Sequence, residues 1–537
     1  MTSLMLGLAA CGGSSDGGAP LSPPPPTFSI TKAEAFQFLN QTTFGALEAE
    51  ANRLMTMGHE AWIDDQMAKP ASLNLPFLQS LPIEQPMGQM NVDRIDIWFR
   101  NALHGDDQLR QRVAFAFSEI FVVSQIGALN NRPYSTTSYY DMLIVNAFGN
   151  YRDLIEKVTL HPAMGVYLSM LSNEKPDVQN NIRPDENYAR ELMQLFSIGL
   201  VELNQDGSRI LDDLGQAIPT YDQSIIEGFA HVYTGWTYAN TGRFRDPQRS
   251  LRNDVLPMSL WPEFHDTGAK KLLNGVTIPA GRSGEQDLAD ALDNIFNHPN
   301  VGPFIAIRLI QRLVTSNPSP GYVSRVAGLF ADNGAGIRGD LGAVIKAILL
   351  DDEARPLEHM ELDGKIKEPL IRLTQLWRSY DATSTSGRYA FRSINVVLGQ
   401  GPLQAPHVFN FFSPFYAPPG EIRDSNLVAP ELEIATEYQN TFITNFMFLQ
   451  MFRLNSTNPD LRDDNIYINF EAEISIAADI DQLIDTVAGK LLGGDISTTL
   501  RNEIAGMLAL IPETEAAVRA AETIYLIVTS PEYAYQR

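Results

Sequence analysis

The segment of the sequence with the clearest chemical potential carries two carboxylates beside an arginine. Glu186, Arg190 and Glu191 share the polar face of a predicted helix. That helix is predicted to end at Gly199, a residue suited to a left-handed C-cap. Two carboxylates flanking an arginine could transfer a proton, or hold a ligand or a metal ion. The alternative is a surface ion pair between Glu186 and Arg190, worth about 0.3–0.5 kcal/mol.

A loop supplies a second set of candidate groups. His265, Asp266 and Lys270 lie in a stretch bounded by Pro262 and Gly268, which predicts a loop. Binding and catalytic groups are common on loops that a rigid scaffold positions. The structural alternative is a local turn in which the Asp266 side chain bonds to nearby backbone.

A third candidate is a Glu/His pair on one helix face. The run from Thr220 to Gln223 resembles a capping box and predicts a helix that continues through Tyr233. On this helix Glu227 and His231 are four residues apart, a spacing that could ligate a metal ion or orient a base. A surface pair without chemistry is the alternative. The sequence has no P-loop, dinucleotide-binding glycine motif, zinc-protease motif or nucleophile elbow, so the cofactor is unknown.

Helical periodicity dominates the rest of the chain. Thr31 and Glu34 form a predicted capping box at the first helix. From about residue 202 the sequence becomes rich in Gly, Asn, Asp and Pro, which predicts long loops with room for a small β-hairpin. We therefore predict a mainly α fold, a multi-helix globular body. Its predicted parts are a signal segment (1–11), a flexible Gly/Ser/Pro tether (12–28), an N-terminal helical region (29–201), a loop-rich region (202–283), a helical region (284–385), a Gly/Pro/Phe-rich loop (386–425) and a C-terminal helical region (426–537).

Composition narrows the range of partners. The chain has 537 residues, 44% of them hydrophobic, which is enough to bury a large core. Its 64 acidic and 40 basic residues give a net charge of −24, which disfavours nucleic acid as a partner. After the first eleven residues, no apolar run reaches the ~18 residues that a membrane-spanning helix needs.

The N-terminal segment predicts export and membrane anchoring. Cys11, the single cysteine, ends the run Leu8-Ala9-Ala10-Cys11 and precedes the predicted tether. This pattern resembles a bacterial lipoprotein signal, whose cysteine carries the acyl chains that anchor the protein. Gly12 after the cysteine resembles outer-membrane sorting, on either the periplasmic or the cell-surface side. The charged start of a signal peptide is missing from Met1 to Leu6, so a start upstream of Met1 is one alternative. A disordered terminus with an incidental cysteine is another.

Several motifs, in order along the chain, resemble the DUF1800 family of large bacterial proteins of unknown function. The run from Glu186 to Gly199, here named the hallmark segment, is similar to the family's NENFARELLELFTLG. The other resemblances are Leu39 to Gly45 (LNRATFG), His161 to Met164 with Asn173, Thr234 to Trp236 (LTGW), His265 to Lys270 (HDxGxK) and Pro406 to Pro414 (PSVFNFFSP, a long-chain branch). The resemblance implies no established reaction. It implies export, and a DUF1501-type sulfatase-like protein as a partner, because genes of the two families are often neighbours.

Two positions depart from the family pattern. Many members have a WHNHF segment whose two histidines could bind a metal ion, but the corresponding run here, Phe117 to Phe121, has no histidine. His231 stands where the family is expected to carry arginine, so a role for His231 would belong to this branch alone.

Two functions are compatible with these residues. The first is a non-catalytic exported lipoprotein that binds or scaffolds another extracytoplasmic protein. The second is an extracytoplasmic enzyme, an acid–base or metal-assisted hydrolase, that uses the hallmark segment together with His265, Asp266 and Lys270. The enzyme requires the two segments to meet in a cleft, whereas a structural network requires them to pack without room for a substrate.

Overall fold

The computed structural model describes residues 30–82, 84–245, 252–355, 364–453 and 464–536. Within these residues the chain is mainly helical, so the predicted fold class is confirmed. None of the described helices is both long and apolar enough to cross a membrane. Cys11, the predicted signal segment and the predicted tether lie outside the described residues.

Helices make up the N-terminal part of the described chain. Their bounds are α1 (Lys32–Thr42), α2 (Glu48–Met57), α3 (His59–Ala68), α4 (Leu75–Ser80), α5 (Met87–His104), α6 (Gln108–Ser118), α7 (Pro133–Val145), α8 (Tyr151–Leu160) and α9 (Pro162–Tyr167).

The middle of the chain alternates short helices with short strands. Its elements are α10 (Asn187–Glu191), a π-helix (Leu192–Ser197), α11 (Gln223–Val232), β1 (Trp236–Thr237), β2 (Ser259–Leu260), β3 (Lys270–Lys271) and β4 (Thr277–Ile278). Strand β1 pairs with β2 and β3 with β4, both antiparallel. These small ladders fall in the region predicted to be rich in loops, and they confirm the small hairpin there.

The remaining elements are again helical, apart from one ladder that joins distant parts of the chain. They are α12 (Gly284–Phe296), α13 (Val301–Leu313), α14 (Pro320–Ala331), α15 (Leu341–Leu350), β5 (Lys365–Ile366), α16 (Pro369–Ser379), α17 (Ile394–Leu398), α18 (Glu421–Asp424), α19 (Glu437–Phe452), α20 (Glu471–Ile476), α21 (Ile480–Leu491), α22 (Thr498–Leu508), α23 (Ala516–Val528), α24 (Pro531–Ala534) and β6 (Tyr535–Gln536). Strand β5 pairs antiparallel with β6.

Local capping chemistry fixes the start of several helices. The Glu34 backbone N–H donates to the Thr31 hydroxyl, and the Thr31 backbone N–H donates to the Glu34 carboxylate at 2.6 Å. This reciprocal pair is the predicted capping box of α1. Ser283 and Gln286 form a second capping box, which starts α12 at the edge of the loop that carries His265.

One hydrophobic cluster runs through the described chain from Ala35 on α1 to Tyr533 on α24. The rings of Phe99 and Trp377, both members of this cluster, lie 4.9 Å apart although their positions in the sequence differ by 278. Contacts of this kind hold the N- and C-terminal helices against each other, because burial of large aromatic surfaces is the main favourable contribution to folding.

A glycine sets the distance between α11 and the loop of candidate residues. A Cβ atom added to Gly228 would lie 1.9 Å from the Lys271 carbonyl oxygen. Only a residue without a side chain lets the helix lie directly on strand β3, and this contact positions the loop that precedes β3.

Substitution of that glycine tests the close approach. We expect Gly228→Ala to lower the free energy of unfolding by about 1–3 kcal/mol, because the added methyl group must push the helix off the strand. Gly506→Ala is the matched control, since Gly506 also lies in a helix, α22, but faces open space. The control should be neutral or stabilise by up to about 1 kcal/mol. Urea denaturation of the two variants makes the comparison, and equal midpoints would contradict the proposed packing.

Candidate functional site

The hallmark segment folds as a short α-helix that widens into a π-helix. The prediction of a continuous α-helix is correct only to Glu191, and Leu192–Ser197 form wider turns. The Ser197 hydroxyl donates to the Leu192 carbonyl, five residues earlier, at 2.6 Å. The predicted apolar face is buried, and Gly199 has the predicted left-handed conformation with φ of 75°. π-Turns occur often at functional sites.

Glu186 and Arg190 form the surface ion pair that the sequence offered as an alternative. Their charged atoms are 3.1 Å apart and both side chains are partly exposed. The Gln223 side chain on α11 also donates to Glu186, at 2.9 Å. An exposed pair of this kind contributes about 0–1 kcal/mol to stability.

Glu191 differs from its neighbours because it is buried. The residue is 7% exposed, and its Oε2 atom has no hydrogen-bond partner among the described residues. Burial raises the pKa of Glu191, against the opposing charge of Arg190. Burial, with an added contribution from the Glu191 carboxylate, also raises the pKa of Tyr167 to about 12. Glu191 is therefore the one hallmark carboxyl group whose surroundings favour a bound proton.

The second candidate set is held by a residue that the sequence analysis missed. His265 Nε2 lies 3.1 Å from Asp287 Oδ2, and Lys270 Nζ lies 2.6 Å from the same oxygen. The side chains of all three residues are about 1% exposed. We name these three residues the Asp287 cluster. Asp287 lies in the first turn of α12, and the sequence signal that could have found it is the Ser283–Gln286 capping box just before it.

The His265 ring is enclosed on several sides. Its Nδ1 atom lies 2.9 Å from the Thr234 carbonyl oxygen. A Cβ atom on Gly284 would be 3.1 Å from that nitrogen, and a Cβ on Gly235 would be 3.0 Å from the His265 Cβ. The space beside the ring therefore does not accept even a methyl group.

The Lys270 ammonium group also makes all of its contacts inside the protein. Its ammonium group donates to the Asp266 carbonyl at 2.5 Å and to the Gly268 carbonyl at 2.9 Å, in addition to Asp287. An ammonium group has three N–H donors, and each of them has an acceptor here.

Asp266 pairs with His231, one of the two residues predicted as a metal pair. The hydrogen bond from the His231 ring is the main cause that lowers the pKa of Asp266 to about 2, and the Gly268 backbone N–H adds to it. The Gly268 N–H donates to Asp266 Oδ1 at 2.7 Å, which is the local turn that the sequence offered as the structural alternative.

Glu227 is exposed, and the Gln223 amide lies 3.5 Å from it. The metal role of Glu227 and His231 stays a prediction. Within the part of the chain that the structure describes, no group of three or more His, Cys, Asp or Glu side chains could hold a metal ion.

Helix α11 lies between the two candidate sets. Gln223 at its start contacts Glu186 of the hallmark segment, and His231 near its end contacts Asp266 of the loop. The helix N-cap is Asp222, so the capping box predicted at Thr220 is wrong. Thr220 instead donates its hydroxyl to the Gly199 carbonyl at 2.6 Å, which ties the end of the hallmark segment to the start of α11.

A second buried ionic group, also missed from the sequence, joins distant parts of the chain. We name it the Glu119 cluster, and its members are Glu119, Arg312, Lys365, Glu368 and Glu431. Arg312 lies 3.4 Å from Glu119, and Lys365 lies 2.9 Å from Glu431. Burial raises the pKa of Glu119, and the nearby Glu368 carboxylate adds to the increase. Glu119 stands in the run Phe117 to Phe121, just after the end of α6.

The segment from Pro406 to Pro414, here named the late aromatic motif, packs onto the Glu119 cluster. The Asn410 side chain donates to Glu119 at 3.4 Å, and the Arg312 guanidinium lies 4.4 Å from the centre of the Phe412 ring. Phe409 of this motif and Phe415, the residue directly after it, are largely exposed. The motif therefore covers a buried ionic group with one set of side chains and presents aromatic rings to solvent with another.

The Asp287 cluster can be tested by removing its only carboxylate. We expect Asp287→Asn to lower the free energy of unfolding by about 3–5 kcal/mol, because the Lys270 ammonium group is left buried without a counter-charge. Asp290→Asn is the matched control, since Asp290 lies one turn later and makes an exposed ion pair with Arg282. The control should cost about 1 kcal/mol or less.

Denaturant unfolding of both variants gives the comparison. Adding Lys270→Met to Asp287→Asn should recover part of the loss, since the uncompensated charge is then removed. Equal unfolding midpoints for Asp287→Asn and Asp290→Asn would contradict the structural role.

The comparisons with known proteins give one match. A family model described as a protein of unknown function (DUF1800) matches residues 37–535. No curated protein and no solved structure is significantly similar to the chain. Since the family match covers nearly the whole chain, the protein belongs to the DUF1800 family.

Proposed function

We propose that this protein is an exported, lipid-anchored binding or scaffold protein that holds another extracytoplasmic protein. The observation that carries the proposal is that His265 and Lys270 use their polar side-chain atoms in contacts inside the protein. His265 and Lys270 share the Asp287 carboxylate, and all three side chains are buried.

A general base or acid must present an atom to the substrate, within about 2.6–3.2 Å of the proton that moves. In His265 both ring nitrogens face protein acceptors, and in Lys270 all three donors are used. These groups therefore favour a role in holding the loop against α11 and α12.

The surface of the late motif supports binding. Phe415 is 64% exposed, and its ring lies 4.5 Å from the Arg308 guanidinium. Phe409 is exposed six residues earlier. Exposed aromatic rings next to arginine are typical of protein interfaces. The partner proposed is an exported protein, with a DUF1501-type sulfatase-like protein as the first candidate.

A second function, an acid–base hydrolase, is favoured by one observation. Glu191 is buried, its pKa is raised by burial, and its Oε2 atom lacks a partner among the described residues. A buried carboxyl group with a raised pKa can serve as a general acid. The Tyr221 hydroxyl is also buried without a hydrogen-bond partner among the described residues. Burial raises the pKa of Tyr221, and the Glu191 carboxylate adds to the increase.

Partner capture tests the binding function. We expect cross-linking of the tagged full chain in its own cells to yield one exported protein in near-equal amount. Phe415→Ser should weaken the isolated complex by roughly tenfold or more, because aromatic interface anchors contribute about 2 kcal/mol or more. Val178→Ser is the control, since Val178 is 94% exposed at a different place in the chain.

Two results would count against the binding function. One is the absence of a stoichiometric exported partner, or equal loss of binding in both variants. The other is turnover of a substrate by the purified chain that Glu191→Gln removes while the melting temperature is unchanged. The second result would establish the hydrolase instead.

The anchoring prediction has its own test. We expect Cys11→Ser to move the protein from the membrane fraction to the soluble fraction, because the serine cannot carry the acyl chains that anchor it. Gly12→Ala, at the next residue, should leave the protein in the membrane fraction. Unchanged fractionation of Cys11→Ser, with an intact unmodified Cys11 in the parent protein by mass spectrometry, would contradict the anchor.

A further inference from the structure

A cavity of about 320 Å³ lies where the N-terminal helix meets the end of the chain. This volume is at the lower end of the range for small-molecule sites. Its wall includes Phe36, Asn40, Lys367, Leu491, Glu532 and Gln536. The cavity belongs to neither of the candidate sets described above.

Lys367 is the unusual member of this wall. It follows strand β5, and its backbone N–H donates to the Ala534 carbonyl at 2.7 Å, which fixes the start of the side chain. The residue is 3% exposed. Its Nζ atom lies 2.8 Å from the Gln375 side-chain oxygen and 4.6 Å from the centre of the Tyr533 ring.

Neither of these partners carries a negative charge. The contrast with Lys365, two residues earlier, is clear, because Lys365 lies 2.9 Å from the Glu431 carboxylate. An amide oxygen and an aromatic face are acceptors for two N–H groups, which is the number that a neutral amine has. The nitrogen lone pair of that neutral amine is then left for a third contact.

Burial lowers the pKa of Lys367 to about 7, and the positive charge of Arg372 adds to the effect. A large fraction of the amine is consequently unprotonated at neutral pH. Unprotonated lysines in apolar surroundings are the nucleophiles that form Schiff bases with carbonyl compounds.

We propose that Lys367 is a nucleophilic amine that forms an imine with a small uncharged aldehyde bound in this cavity. The nitrogen lone pair attacks the carbonyl carbon and forms a C–N bond, while the carbonyl π electrons move to oxygen. A proton passes from nitrogen to that oxygen and gives a carbinolamine. Loss of water then forms the C=N bond, and no oxidant or reductant is needed.

Two acidic residues in the cavity wall disfavour carbonyl compounds that carry a negative charge. Asp495 and Glu532 both line the cavity. Their carboxylates disfavour an anionic keto acid, because like charges at short distance repel. The proposed ligand is therefore an uncharged aldehyde, and this assignment is independent of the proposed binding function.

Reductive trapping tests the proposal on the full chain. The protein is incubated with propanal and cyanoborohydride, which converts an imine to a stable propylamine, and the labelled lysines are mapped by mass spectrometry. At pH 7 we expect Lys367 to be labelled roughly tenfold faster or more than the exposed Lys271, since each unit of pKa changes the neutral fraction about tenfold. The buried, ion-paired Lys365 should be labelled slowest.

The pH profile and two variants complete the test. Labelling of Lys367 should reach half of its maximum near pH 7. Lys367→Arg should remove the fast label, and Lys271→Arg should retain it. Replacing propanal by glyoxylate should slow the reaction at Lys367. Labelling of Lys367 at the rate of Lys271, or labelling of Lys367 that keeps rising well above pH 7, would overturn the proposal, and this result comes from the parent protein without any variant.

Discussion

The loop of the family's HDxGxK-like motif depends on one buried carboxylate, that of Asp287. A charge removed from water costs several kcal/mol unless opposite charges and hydrogen bonds surround it. Lys270 and His265 provide these contacts, at 2.6 and 3.1 Å from the same oxygen. Because Asp287 belongs to α12 while the other two residues belong to the preceding loop, the ionic contact fixes the loop against the helix. The loop in turn fixes α11 through His231 and through the close approach at Gly228.

The Glu119 cluster repeats this arrangement on a larger scale. Its members come from α6's C-terminal end, α13, the β5 region and the segment before α19, so one set of charges joins four distant parts of the chain. Asn410 brings the late aromatic motif to the same cluster. Two of the motifs by which the chain resembles its family thus surround buried charges. In both motifs the polar residues named above contact buried charges.

The sequence predicted what depends on neighbouring residues and missed what depends on distant ones. The capping box at Thr31, the burial of the apolar face of the hallmark segment and the turn at Gly199 all follow from local periodicity and backbone preference. The π-helix at Leu192–Ser197 did not follow, because the apolar and polar spacing of this segment is that of an ordinary α-helix. Asp287 was missed for a related reason. An acidic residue in the first turn of a helix is common on electrostatic grounds alone, so its position did not indicate two buried partners.

Three buried lysines show how the surroundings of one residue type decide its chemistry. Lys270 and Lys365 each lie within 3 Å of a carboxylate. Lys367 is buried to a similar extent but contacts an amide oxygen and an aromatic ring. Burial without a counter-charge favours the neutral amine, and the neutral amine is the form whose lone pair can attack a carbonyl carbon. The proposed nucleophile is therefore the buried lysine that has no carboxylate beside it.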